Sequence, residues 1–108
     1  MHILINGFAR DYDNLEVGRV KKWLDCMPRK IGMQKISPAI VEQDDDSFKG
    51  IILLAESHIS IHINNDGKCF IDVFSCKTID IDVVKFEVNT LGINILECIV
   101  LNRGLEYL

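Results

Sequence analysis

Five residues able to move protons or act as nucleophiles crowd into one short stretch, Glu56, Ser57, His58, Ser60 and His62, and a thiol, Cys76, follows at the far end of the next apolar segment. The imidazoles titrate near neutrality and suit general acid–base work. The serine offers a nucleophile to whatever carbonyl lies beside it. Other chemistries fit the spacing less well. His58 and His62 share a face on a helix, but along a strand they stand about 13 Å apart, too far to ligate one zinc ion. No Gly-x-Ser-x-Gly elbow surrounds a serine, which argues against a serine hydrolase of that kind. The run Asp44-Asp45-Asp46 reads as a solvated loop, since hard cations need oxygen ligands converging from several places; no metal is expected. A sheet face open to water also accounts for His58, Ser60 and His62, so spacing alone leaves their role open.

The elements that must hold these residues are legible from periodicity. Ile59, Ile61 and Ile63 alternate with His58, Ser60 and His62, the mark of a half-buried strand, and the unbroken run Gly50 to Ala55 precedes it. Asn64-Asn65-Asp66-Gly67 signals a hairpin and Cys69 to Cys76 the returning strand. If Asp66 and Gly67 alone turn the chain, Ser57 lies directly opposite Cys76; a three-residue turn with Gly67 in a bulge shifts the pairing by one. Either register brings Ser57 and Cys76 to the same end.

Around this hairpin, His2 to Phe8 reads as a strand. Asp13 and Glu16 resemble a capping box, followed by Leu15, Val20, Trp23, Leu24 and Met27 at helical spacing as far as Pro28. Pro38 interrupts Ile36 to Val41 and demotes it to an edge or broken strand. Val83, Val84, Val88 and Leu91 before Gly92 predict a second helix, and Ile93 to Leu101 a final strand. The expected fold class is α+β, a two-layer α/β sandwich with a mainly antiparallel sheet and two helices on one face.

With 108 residues, 48% of them hydrophobic, the chain has room for one core and is expected to be a single domain. A net charge of -4 disfavours nucleic acid and anionic membranes as partners and leaves a small molecule as the expected ligand. No apolar run approaches the ~20 residues that span a bilayer, and no signal-peptide pattern opens the chain, so a cytoplasmic location is expected. The four cysteines, Cys26, Cys69, Cys76 and Cys98, contain no Cys-x-x-Cys pair and read as free thiols.

Leu53-Leu54-Ala55-Glu56-Ser57-His58-Ile59-Ser60-Ile61-His62, then Gly67, then Asp72-Val73-Phe74-Ser75-Cys76, resembles the signature of the small prokaryotic S-adenosylmethionine decarboxylase proenzymes. Gly50, Arg103-Gly104 and the order of elements fit the same family. The resemblance implies that Ser57 attacks the carbonyl of Glu56 and ends as a pyruvoyl group that forms a Schiff base with the substrate amine, leaving a β chain of residues 1–56 and an α chain of 57–108. It implies that His62 accepts a proton during processing and that Cys76 protonates the product. It further implies a homodimer with active sites at the interface and a place in spermidine synthesis.

Two departures from the family pattern bear on substrate and processing. The resemblance calls for Thr-Trp-Pro-Glu after the processing histidine, where this chain has Ile63-Asn64-Asn65-Asp66, and for a serine where it has Lys49. A lost aromatic weakens stacking on adenine, which raises ornithine or arginine as the alternative substrate. Lys49 cannot accept a hydrogen bond when charged, which leaves Ser47 as a stand-in or, as a further alternative, an unprocessed homologue that acts as partner or regulator. A small-molecule amine is the expected substrate in the catalytic readings, and Arg103 is the candidate for an anionic group.

Overall fold

The computed structural model describes residues 1–103, so Gly104 lies outside the described residues. The elements are β1 (His2–Ala9), a 3-10 turn at Tyr12–Asn14, α1 (Val17–Lys30), β2 (Ile40–Gln43), β3 (Ser47–Leu54), β4 (Ser57–Asn64), β5 (Lys68–Phe74), α2 (Ile81–Thr90) and β6 (Ile93–Leu101). The strands form one sheet in the order β2-β3-β4-β5-β1-β6, every neighbouring pair antiparallel. Helix α1 lies over β2 and β3, helix α2 against β6, and Trp23 of α1 donates its indole N–H to the carbonyl of Glu87 on α2 at 2.8 Å. Both helices therefore occupy one face, as the α+β reading expects.

Period-two alternation explains why that face is the covered one. Ile3 and Ile5 of β1, Ile52 of β3, Ile59, Ile61 and Ile63 of β4, and Ile71 and Val73 of β5 all point toward Val20, Leu24, Met27, Val84 and Val88 of the helices, and all are buried. Each such side chain contributes roughly 1.5–3 kcal/mol by leaving water, and a one-residue slip of any strand would turn its set outward. Gly50 sits in β3 under α1 because a Cβ there would approach Leu24 Cδ1 to 2.7 Å and Val41 Cγ2 to 3.0 Å.

The opposite face carries no helix. It presents Lys49, Ile51 and Leu53 of β3, His58, Ser60 and His62 of β4, and Phe70, Asp72 and Phe74 of β5 as paired neighbours, with Ile40, Phe8, Ile99 and Leu101 toward its edges. Ile40, Ile51, Leu53 and Phe70 remain exposed there. No helix among the described residues is long and apolar enough to cross a membrane.

Several boundaries differ from the sequence reading. The capping box does not form: Glu16 is the N-cap of α1 but its side chain makes no capping bond, and Asn14 instead donates to both carboxylate oxygens of Asp11. The capping that does occur is at α2, where Asp80 accepts from the N–H groups of Asp82 and Val83. Helix α1 runs through Pro28 to Lys30; proline near a helix end removes only one late hydrogen bond. The broken strand around Pro38 resolves into an isolated bridge at Lys35 and an edge strand that begins only at Ile40.

Candidate active site

Strand β3 ends at Leu54 and β4 begins at Ser57, which pairs with it, so Ala55 and Glu56 are the whole connection and the Glu56 to Ser57 bond lies at a hairpin tip. Two-residue hairpins favour mirror-image turns with positive φ, yet no described non-glycine residue has positive φ. The tip is held from outside instead. Ala55 N–H donates to the carbonyl of Gln34 at 3.3 Å and Ile36 N–H to that of Leu53 at 3.1 Å, so the connection after α1 forms a lip along the turn.

The β4–β5 hairpin takes the longer of the two turns considered from the sequence. Ile63 pairs with Cys69 and His58 with Phe74, Gly67 has φ +94, and Gly67 N–H donates to Asn64 O at 2.9 Å. Continued by one step, this register sets Ser57 level with Ser75 and carries Cys76 to the level of Glu56. There the Cys76 thiol donates to the Glu56 carbonyl oxygen across 3.3 Å. Ser75 is buried and its hydroxyl accepts from Lys77 N–H at 2.8 Å, which fixes the backbone just past the thiol. The Ser57 hydroxyl donates to the thioether of Met33 at 3.4 Å. Met33, Gln34, Glu56, Ser57, Cys76 and Lys77 line a pocket of about 230 Å³.

Asp25 secures the lip. Its carboxylate accepts from Ala39 N–H at 2.7 Å, from Lys21 at 2.9 Å and from Lys35 at 3.3 Å. The Ala39 backbone bond, then the Lys21 bond, lower its pKa to about 2.

The structure does not bring His62 to this place. His62 pairs with Lys49 and Phe70 in the middle of the bare face, five residues from Ser57 along the same strand. At ~3.3 Å per residue that is about 16 Å, and odd and even positions face opposite ways. Among the described residues no hydrogen bond to the His62 ring is found, and its ring meets Phe70 edge-on at 6.5 Å. His62, Lys49, Ser60 and Asp72 line a second, open hollow of about 510 Å³, walled by Ile40, Ile51 and Phe70. Ser47 shares that face, but its hydroxyl donates to Asp44 at 3.3 Å, while Lys49 reaches the same carboxylate at 3.5 Å. The acidic run is thus a turn: Asp44 accepts from the N–H groups of Asp46 and Ser47.

His58 lies at the Ser57 end of the bare face, its ring 5.7 Å from that of Phe74. The guanidinium of Arg103 stacks over Phe74 at 5.2 Å, and His2 meets the same ring edge-on at 5.9 Å. Burial, the largest influence, holds His2 below the ordinary imidazole value, and its buried Nε2 has no hydrogen-bond partner among the described residues. Arg103 therefore belongs to an aromatic cluster beside the site. Met33 and Asp25 went unnoticed in the sequence: Met33 stands in an unpatterned connection, and only the Lys21/Asp25 spacing of i,i+4 hinted at the second.

A serine at a hairpin tip, with a thiol on the carbonyl of the bond before it, defines a site where a nucleophile and a hydrogen-bond donor meet at one peptide bond. The particular lineage follows from comparison. The family model described as S-adenosylmethionine decarboxylase matches residues 1–104, and the chain belongs to that family. It is 33% identical over 78 residues to an S-adenosylmethionine decarboxylase proenzyme of Persephonella marina, covering 70% of this chain and 59% of that protein. It is 32% identical to the proenzyme of Aquifex aeolicus, with 70% and 58% covered, and 29% identical to that of Clostridium botulinum, with 69% and 66% covered. The chain thus spans about three fifths of the length of the first two relatives.

Proposed function

We propose that this chain is the precursor of a pyruvoyl-dependent S-adenosylmethionine decarboxylase that cleaves itself between Glu56 and Ser57. The observation that carries the reading is the Cys76 thiol hydrogen-bonded to the Glu56 carbonyl oxygen at 3.3 Å, with the Ser57 hydroxyl on the next residue. A donor on that oxygen stabilises the negative charge that develops when Ser57 Oγ attacks the carbonyl carbon. The amide then becomes an ester. Removal of the Ser57 α-proton expels the Glu56 carboxylate and leaves a dehydroalanine; its hydrolysis releases ammonia and leaves the pyruvoyl group. The pyruvoyl ketone supplies the electron sink for loss of carbon dioxide from a bound amine. Cys76, already within reach of this position, returns the proton to the substrate.

His62 is the base for the α-proton in this reading, and it reaches Ser57 only from a second copy. The bare face with Ile40, Ile51, Leu53 and Phe70 exposed supports a face-to-face homodimer in which one protomer's His62 serves the other's Ser57. The single tryptophan, Trp23, is buried between the helices, and in this reading Phe70 and Phe74, which stand beside His62 and His58 on the bare face, are aromatics that stack on adenine.

Intact-mass measurement under denaturing conditions tests the reading. The expected result is replacement of the 12.3 kDa chain by two fragments split at Ser57, the second trapped by a reducing amine, with carbon dioxide released from S-adenosylmethionine and not from ornithine or arginine. A single intact chain would overturn it, and would favour an unprocessed partner protein.

A further inference from the structure

We propose that Met33 is the positioning residue of self-cleavage: its thioether holds the Ser57 hydroxyl in the rotamer from which attack begins. The inference rests on the reading of Ser57 as the cleavage residue. The geometry is specific. Ser57 Oγ donates to Met33 Sδ at 3.4 Å, and no other hydrogen bond from that hydroxyl is found among the described residues. Met33 is placed rather than loose, because its own N–H donates to Pro28 O at 2.7 Å, Gln34 O receives Ala55 N–H, and Lys35 bridges to Leu54. Its side chain packs half-buried against the core.

The chemistry favours sulfur at this point. A serine hydroxyl that must attack needs its lone pairs free and its rotamer fixed. A thioether is a weak acceptor that takes no proton, so it occupies the hydroxyl hydrogen without holding it as tightly as a carboxylate would, and restricts a side chain that otherwise samples three staggered positions. Cys76 meanwhile holds the oxygen of the carbonyl under attack. The two sulfur atoms thus fix the two reacting partners, one on each.

The test separates sulfur from bulk. Norleucine places a methylene where methionine has sulfur, and the chain has three methionines. Maturation rates would be followed by intact mass for freshly refolded protein made with methionine or with norleucine, in the wild-type chain and in the Met33→Leu variant, where norleucine enters only at Met1 and Met27. The expected result is about three- to tenfold slower cleavage for the norleucine wild type and for Met33→Leu alike, the loss expected for one weak hydrogen bond, with no further slowing when norleucine enters Met33→Leu. Cleavage of the norleucine wild type at the methionine rate would overturn the proposal, as would Met33→Leu slow but norleucine normal, since that is packing. If the unaltered chain does not cleave at all, the reading of Ser57 fails and the proposal fails with it; a cleaving chain indifferent to norleucine removes Met33 alone.

Discussion

Substituting Ile51 by lysine tests whether two bare faces meet. Ile51 lies in β3 between Ile40 and Ser60 and is 39% exposed in the protomer, so the protomer itself should lose little; exposed positions usually change stability by about 0.5 kcal/mol or less. In a face-to-face dimer the remaining surface is buried. Full burial of an isoleucine contributes roughly 1.5–3 kcal/mol, so the exposed share accounts for about 1 kcal/mol, and two-fold symmetry doubles it to about 2 kcal/mol, some 30-fold in the dissociation constant. A lysine ammonium forced into the same contact adds several kcal/mol of desolvation per copy, which moves the constant by at least a thousandfold. Sedimentation equilibrium reads that constant directly, and thermal unfolding of the diluted protein checks that the protomer survives. Cleavage should stall with the dimer, because His62 lies about 16 Å from the Ser57 of its own chain. An Ile51→Lys protein that stays dimeric refutes the interface; one that is monomeric yet cleaves at the normal rate refutes the shared histidine.

The remaining predictions are narrower. Mixing Ser57→Ala with His62→Ala during refolding should yield cleavage in only the His62→Ala chains, supplied by the other variant's histidine; no cleavage in the mixture, with each variant folded, refutes the shared histidine, and cleavage of His62→Ala by itself removes His62 from the reaction. Cys76→Ala should slow cleavage by about tenfold or more through loss of the donor on the Glu56 carbonyl, followed by mass, and unchanged kinetics would remove the thiol from that step. Asp25→Asn should be less stable at pH 7 by about 2 kcal/mol. Because the folded carboxyl lies near 2, below its unfolded value, that stability is present above about pH 4 and is lost as pH falls toward 2; urea unfolding should show the two proteins converging there, and parallel curves would refute it.

The hairpin that carries the site was plain in the sequence because its faces alternate cleanly, isoleucine inward and His58, Ser60, His62 outward. Its register was narrowed to two choices, and Gly67 in the left-handed region selects the longer turn. The same alternation also keeps His62 and Ser57 of one chain apart, five residues from each other on β4, although the resemblance by itself had put both in one reaction. What stayed hidden was long-range: the lip of Met33 to Lys35 has no periodicity, and its position depends on Asp25, thirty residues before the bond it helps to present. The capping box failed for a local reason. Asn14 bonds to Asp11 and the chain tightens into a 3-10 turn before α1 can use Asp13.

Strand order bears on what the proposed cut would do to the molecule. Severing the chain after Glu56 assigns β1, β2 and β3 to one fragment and β4, β5 and β6 to the other, but β1 lies between β5 and β6. The fragments are therefore interlaced, joined along three hydrogen-bonded seams, and neither can leave without unzipping strands on both sides of β1. Before the cut, folding is a one-molecule event; afterwards the same architecture can be rebuilt only by an encounter of two, at a rate and with a stability that depend on concentration. The precursor is thus the form able to assemble unaided, and the cut product retains a shape it could regain only as a pair.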